Sequence, residues 1–400
     1  MKNILLIMPY GSVGGMERLA LNFYSHYKAL GYKVKAIKII QLPSDIIHFG
    51  EDEIALSTLD FYEMSFAKRF WFYFKIPFLI RKIVKQNNIS HSISFGDMAN
   101  VFSSLSFTSE FKIASIHALK SVEFVTKSFL NTIFKLAFKT SYYFFDKVVC
   151  ISQAIKKDLL ENCGYKFKNN LQVIYNPHNV LDIERLASIE IENQVENELF
   201  QNDVILFLGR MSAQKAPWHL IKSFSLLENN DNKIKLVLIG DGDINITNYL
   251  KELSEKLNIK QNVVFLGRKS NPYQYLKKAK VLALSSYYEG TPNVIVEAIA
   301  TETPIVSSNC TDGILELMSI VENEQIEDFM ITESGIITPN FFKGELSIPK
   351  NESITNEEII FSKALKLVLS NKNFKDKIVK NKSILLSKFN LERVANEYLS

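Results

Sequence analysis

The sequence predicts an α/β chain made of two doubly wound, Rossmann-like units in tandem. Three observations carry that expectation. Four hundred residues exceed what one ordinary core holds, so two domains are expected. Short apolar runs alternate with amphipathic segments through the first third, as in a parallel sheet covered by helices on both faces. The alternation then lapses into a polar stretch and starts again.

The elements follow in order. Residues 4–8 read as the first strand, followed by a glycine-rich turn and a helix over 16–30 that Gly31 stops. Residues 32–40, 89–95, 113–117 and 147–151 read as further strands. Residues 176–202, with Asn-Pro-His-Asn at the start and ENQVENELFQND at the end, read as linker and hinge. The expected domains are therefore 1–180 and 181–384. Strand-like runs resume at 204–208, 234–239, 262–266, 281–284 and 304–307. Residues 340–358 are polar and aperiodic, hence a surface loop. Residues 374–400 are helical in pattern, and their end, about 385–400, is expected to return to the first unit.

Composition narrows the class. Hydrophobic residues make up 47% and charged residues 22%, as in an ordinary folded enzyme. The net charge of +4 is uneven: residues 61–147 carry twelve Lys/Arg against five Asp/Glu. Cys150, Cys163 and Cys310 have no metal-type spacing and read as buried small residues in a reducing compartment. The short apolar run before Pro9-Tyr10-Gly11 reads as a strand, not a signal peptide. No stretch offers the roughly 18 uninterrupted apolar residues of a membrane span. A cytoplasmic protein is expected, peripheral at most on the inner face of the cell membrane.

Residues 284–300, LSSYYEGTPNVIVEAIA, hold the most chemistry. Glu289 follows a buried strand and Glu297 lies eight residues on, about a turn and a half into a helix. Thr291 can cap that helix and Pro292 suits its first turn. Paired carboxylates suit sugar and ribose hydroxyls, and a helix start suits a phosphate. A nucleotide sugar carries all three groups.

Other loops follow strands in the same way. Gly14 and Gly15 permit close backbone approach to a ligand, or form a plain turn. Arg210 and Lys215, five residues apart, can grip a diphosphate with a planar fork and a point charge. Alone, they could equally be solvated surface charges. Gly240 is a turn or a close approach to a nucleotide; Arg268 contacts a base or shapes a turn. His117 ends a strand, where a lone histidine is often structural.

These stretches, in this order, resemble the family 4 glycosyltransferases with the GT-B fold. The resemblance rests on GGMER, the Ser-Ile-His strand end, ISQAIKKDLL, Tyr-Asn-Pro at 175–177, LGRMSAQKAPWHLIKSF, LIGDGD, VVFLGR and EGTPNVIVEA, whose two glutamates match that family's E-x7-E element. Residues 309–316 are similar to members that build bacterial surface polysaccharides. Two departures stand out: Ala216, where the family often has Gly or Asn, and the long loop at 340–358.

The resemblance implies two Rossmann-like domains facing a central cleft, and a retaining, metal-independent transferase with no cofactor beyond its UDP-sugar donor. Arg210 and Lys215 would hold the diphosphate, Glu297 the ribose and Glu289 the transferred sugar. Gly290, Thr291, Pro292, Asn293, Gly240 and Arg268 would complete the donor site. Gly14 and Gly15 would shape the junction with the acceptor, and His117 would lie against the sugar. A hexose or N-acetylhexosamine passed to a lipid-linked glycan is the expected reaction.

Residues 65–85 and 127–147 interleave Lys/Arg with aromatics. They read either as interfacial helices meeting anionic lipid or as core helices with solvated basic faces. Nucleic acid does not account for the sugar-nucleotide elements. A catalytically silent binding subunit and another GT-B enzyme, such as an epimerase, are the alternatives. A dinucleotide oxidoreductase is disfavoured by the missing G-x-G-x-x-G.

Overall fold

The computed structural model describes residues 2–11, 15–124, 129–227, 233–289, 291–320, 324–326, 328–349 and 353–400. The chain forms two compact units, Met1–His178 with Lys388–Ser400, and Asn179–Ser387.

The first unit is a parallel sheet of β1 (Asn3–Met8), β2 (Lys33–Lys38), β3 (Glu53–Ala55), β4 (His91–Phe95), β5 (Phe111–Ile116), β6 (Lys147–Cys150) and β7 (Leu171–Val173). Their spatial order is β3-β2-β1-β4-β5-β6-β7. Helices α1 (Gly15–Ala29), α2 (Phe66–Gln86), α3 (Asp97–Ser104), α4 (Lys120–Glu123), α5 (Phe129–Ala137) and α6 (Gln153–Glu161) connect the strands. Side chains of β1 show why the sheet is covered twice. Ile4, Leu6 and Met8 enter one core with α1, while Leu5 and Ile7 enter another with Ile76, Ile80 and Val84 of α2. Such a strand must be apolar at every position.

The C-terminal helix (Leu391–Leu399) closes the α1 side: Val394, Ala395, Tyr398 and Leu399 join its core. Tyr398 shares a 2.8 Å hydroxyl hydrogen bond with Ser115, and Tyr27 donates to the Ala395 carbonyl at 2.9 Å.

The second unit opens with α7 (Val180–Ala187) and α8 (Gln194–Leu199). The stretch 176–202, expected as linker and hinge, thus holds two helices, and the units divide at His178/Asn179, beside the expected boundary near 180. Asn179 and Asn193 are N-caps, accepting from the Asp182 and Glu196 amides at 3.2 and 3.1 Å. Asn271 donates to the Leu186 carbonyl and fastens α7 to the unit.

Its sheet contains β8 (Asp203–Leu208), β9 (Ile234–Ile239), β10 (Val263–Gly267), β11 (Val281–Leu284), β12 (Ile305–Ser308), β13 (Glu324–Ile326), β14 (Phe329–Ile331) and β15 (Gly335–Thr338). The order is β10-β9-β8-β11-β12-β15-β14-β13, parallel except for the antiparallel β13, β14 and β15 pairings. Helices α9 (Pro217–Ser225), α10 (Ile244–Lys256), α11 (Tyr273–Lys278), α12 (Asn293–Ala300), α13 (Asp312–Met318), α14 (Asn356–Ser370) and α15 (Asn373–Ser387) flank it. Trp218, Ile221 and Phe224 of α9 and Phe361 and Leu365 of α14 pack on Ile205, Phe207 and Leu238.

In both sheets the winding reverses beside the first strand, between β1 and β4 and between β8 and β11. In open α/β sheets, the carboxyl edge at such a reversal is where ligands bind.

Candidate donor site and glycine-loop edge

Lys215 and Glu289 sit at the reversal of the second unit, on the loops after β8 and β11. The Lys215 ammonium meets Glu289 Oε1 at 2.5 Å, and the Ser286 hydroxyl donates to the same oxygen at 2.7 Å. Both side chains are largely withdrawn from water, where a charge needs a partner. The two loops are laced through their backbones as well. Tyr287 N–H donates to the Gln214 carbonyl at 2.8 Å, and the Ser285 hydroxyl reaches the Lys215 and Ala216 carbonyls, each at 3.1 Å. Ala216 turns the chain into α9 with φ 42° and ψ 51°, the left-handed conformation that Gly and Asn adopt most readily.

Arg210 is exposed one loop position before Met211 and makes no side-chain hydrogen bond or ion pair among the described residues. Its loop rests on the turn after β9. Met211 N–H donates to the Asp241 carbonyl at 2.8 Å, and Asp243 N–H returns to the Met211 carbonyl at 2.9 Å. Gly240, at φ 142°, lets these backbones meet: a Cβ there would lie 1.9 Å from the Gly209 carbonyl oxygen. Its evident role is this approach. Arg268 is exposed at the end of β10, two strands from β8.

The helix bearing Glu297 starts differently from the sequence expectation. Pro292, not Thr291, is the N-cap of α12, and no side chain caps it. Among the described residues Ile295 N–H turns back to the Pro292 carbonyl at 3.0 Å, and no side chain meets the helix start. Thr291 is half-buried, with its hydroxyl enclosed and unpartnered among the described residues. Asn293 is the first helical residue; Glu297 is half-buried in the second turn, and the Tyr273 hydroxyl donates to it at 3.4 Å. Gly290 and Gly14 lie outside the described residues.

Behind the Glu289 loop runs a buried polar chain that sequence reasoning missed. His219 Nδ1 lies 2.6 Å from Glu358 Oε1 and Nε2 lies 2.9 Å from the Tyr287 hydroxyl. Trp218 donates to that hydroxyl at 3.2 Å. With the indole donating to it, the Tyr287 hydroxyl donates onward to Nε2, and Nδ1–H donates to the carboxylate. Burial pushes the His219 pKa down, against the pull of Glu358, which favours this neutral ring. Lys222 balances Glu358 at 3.3 Å. No local motif announces the chain, because Glu358 is 139 residues from His219. Cys310 stands near Glu289, and burial pushes its thiol well up, so it is a neutral wall group.

In the first unit, Gly15 opens α1 after β1 and His117 follows β5. Between them Gly96, at φ 82°, ends β4; a Cβ there would be 3.1 Å from Met16 Sδ. The His117 ring faces Phe95 at 6.3 Å between centroids, and its Nε2 is enclosed without a described partner. Burial, then the Lys120 charge, lowers its pKa to about 3, so it is a neutral ring at working pH. Lys120 pairs with Asp97 at 2.9 Å and Glu123 at 2.6 Å. Gly11 donates to Asp45 at 3.1 Å, while Asp45 and Glu53 meet the buried Lys38 at 3.2 and 3.0 Å, which anchors the start of the glycine loop. Three or more His, Cys, Asp or Glu side chains do not gather into a metal-type cluster among the described residues.

Comparison with known proteins identifies the family. The Glycosyltransferase Family 4 profile matches residues 13–180, and the Glycosyl transferases group 1 profile matches 189–326. The chain belongs to the family 4 glycosyltransferases. Among relatives of this transferase is an uncharacterized glycosyltransferase of Methanocaldococcus jannaschii, 29% identical over 251 residues. That match covers 62% of this chain and 61% of the relative, less than two thirds of its length. Another is the GalNAc-alpha-(1->4)-GalNAc-alpha-(1->3)-diNAcBac-PP-undecaprenol alpha-1,4-N-acetyl-D-galactosaminyltransferase of Campylobacter jejuni. It is 26% identical, with 100% of this chain and 98% of that protein covered. The crystal structure of Anabaena HepE in complex with UDP superposes with a TM-score of 0.72 at 16% identity, covering 99% and 98% of the two chains. At that identity the likeness shows the fold, which is GT-B.

Proposed function

We propose that this glycosyltransferase moves a hexose or N-acetylhexosamine from a UDP-sugar to a lipid-linked glycan in surface-polysaccharide synthesis, with retention at the anomeric carbon and without a metal. The observation that carries the reading is the Lys215–Glu289 pair at the sheet reversal, on loops after β8 and β11. Transfer breaks the bond between the anomeric carbon and the donor phosphate, and negative charge builds on the leaving diphosphate. Arg210, Lys215 and the uncapped start of α12, with Gly290, Thr291, Pro292 and Asn293, supply positive potential for it. Glu297 takes the ribose hydroxyls and Glu289 the sugar. Arg268 serves the nucleotide, and Gly240 shapes the donor site by letting the loop that carries Arg210 close on the turn after β9.

In the first unit, we assign Gly14 and Gly15 to the acceptor junction and His117 to the transferred sugar, to which its neutral ring offers a hydrogen bond. The Campylobacter relative is named for a PP-undecaprenol-linked glycan, which supports an acceptor of that class. UDP in the HepE complex supports the donor class.

Isothermal titration with UDP and GDP in EDTA tests the reading. UDP binding in EDTA supports it. GDP binding alone replaces the donor, and no binding by folded protein favours a silent subunit.

A further inference from the structure

The aromatic segments divide in the structure. Over 127–147 the described aromatics are mixed: Phe138, Tyr142 and Phe145 are buried, while Tyr143 and Phe144 are exposed. Over 65–85 the exposed rings dominate and are continuous. Phe66, Phe70, Trp71, Phe74 and Phe78 of α2 are between 57% and 86% exposed. Four of them recur every fourth residue, so they form one outward ridge, while Ile76, Ile80 and Val84 face the core. The rings pack on each other, with Trp71–Phe74 centroids 6.1 Å apart and Phe74–Phe78 5.4 Å apart.

Cations complete the face. The helix sequence FAKRFWFYFKIPFLIRKIVKQ contains six Lys/Arg and no Asp or Glu. Arg81, Lys82 and Lys85 are exposed in the turns just past the aromatic ridge. The surface also continues beyond the helix: Arg81 donates to the Phe107 carbonyl at 3.2 Å, and the exposed Phe107 ring meets Phe144 at 5.2 Å.

We propose that α2 is an interfacial helix that lays its aromatic ridge into the headgroup region of an anionic bilayer. Wide exposed apolar patches mark interaction surfaces. A protein partner's interface core is depleted of charge, whereas aromatics beside unbalanced cations match an anionic lipid surface. No described helix is long and apolar enough to cross a membrane, so the contact is parallel to the surface. This goes beyond the donor chemistry and does not depend on it.

The test is sedimentation of the full chain with phosphatidylcholine vesicles, with and without about one-third phosphatidylglycerol. Binding to the anionic vesicles, weakened by salt, is expected. The emission of Trp71 should shift to the blue on binding, against a constant background from the buried Trp218. The F70S/F74S/F78S variant should lose roughly tenfold or more in partitioning. R81Q/K82Q/K85Q should lose the preference for anionic lipid. UDP titration of both variants should match the parent, which separates loss of the surface from misfolding. Equal binding by the parent and the serine variant overturns the proposal. So does a stable dimer that the serine variant dissolves while vesicles fail to bind.

Discussion

Lys215 and Glu289 depend on each other because each would otherwise hold a charge mostly out of water. If the lysine also meets the donor diphosphate, removing it should act mainly on turnover. Lys215→Ala is expected to lower kcat roughly 10²–10³-fold, the range for one preorganised electrostatic group. UDP affinity should fall much less. Unchanged turnover would remove Lys215 from the mechanism. Glu297→Ala should show the converse, with UDP binding weakened about tenfold or more, as loss of a charged hydrogen bond to ribose requires. Titration and initial rates on the same preparations separate the two. A third residue tests the buried chain behind the site. Glu358→Ala strands the buried Lys222 and removes the His219 partner, so about 3–5 kcal/mol of stability should go. Glu358→Gln should cost less, because it still offers an acceptor. Urea unfolding of the pair decides whether Glu358 is structural in this way.

At the scale of elements, the loops after β8 and β9 are held at contact distance by the absence of a side chain at Gly240. Gly240→Ala would place a Cβ against the Gly209 carbonyl at an unfavourable φ, so the loops must separate. About 2–4 kcal/mol of destabilisation is expected, with weaker UDP binding as Arg210 shifts. Wild-type titration behaviour would show that the loop adapts. The sequence already marked Gly240, yet only the backbone approach explains why glycine is needed. Long apolar runs such as β1, β8 and β9 were legible because both faces of the strand are covered. The strands β3, β7, β13 and β14 were missed because three residues set no periodicity. The segment 176–202 misled for another reason: its asparagines, which suggested a loop, are the caps that begin α7 and α8. In the site, Glu289, Glu297 and Lys215 lay within local motifs. His219 with Glu358 did not, because the fold alone brings them together. Solvent, equally, decides α2: its ridge and a core helix share the same aromatic composition.

Across the whole molecule, acid should weaken both units, and histidine sets the first part of that loss. Burial lowers the His117 pKa to about 3 and depresses those of His219 and His91. Above the unfolded value of about 6.5, all three are neutral in both states and their contribution is complete. As pH falls below 6.5, the unfolded chain takes up protons that the folded chain refuses, so stability falls. For His117 this loss continues to about pH 3. Asp52 acts later: Lys28, Lys35 and Tyr24 outweigh its burial and hold its carboxyl at about 2, so its loss falls between about pH 4 and 2. One histidine alone gives a slope approaching 1.4 kcal/mol per pH unit between about pH 6 and 4. Two units with separate cores need not unfold together. In a Trp71→Phe background, Trp218 fluorescence follows the second unit, where His219 lies, while circular dichroism follows both. Urea midpoints should therefore fall from pH 6.5 to 4 by both probes, and His117→Gln should flatten the first unit's share while leaving the Trp218 transition unchanged. A pH-independent midpoint over that range would show that these rings protonate as readily folded as unfolded.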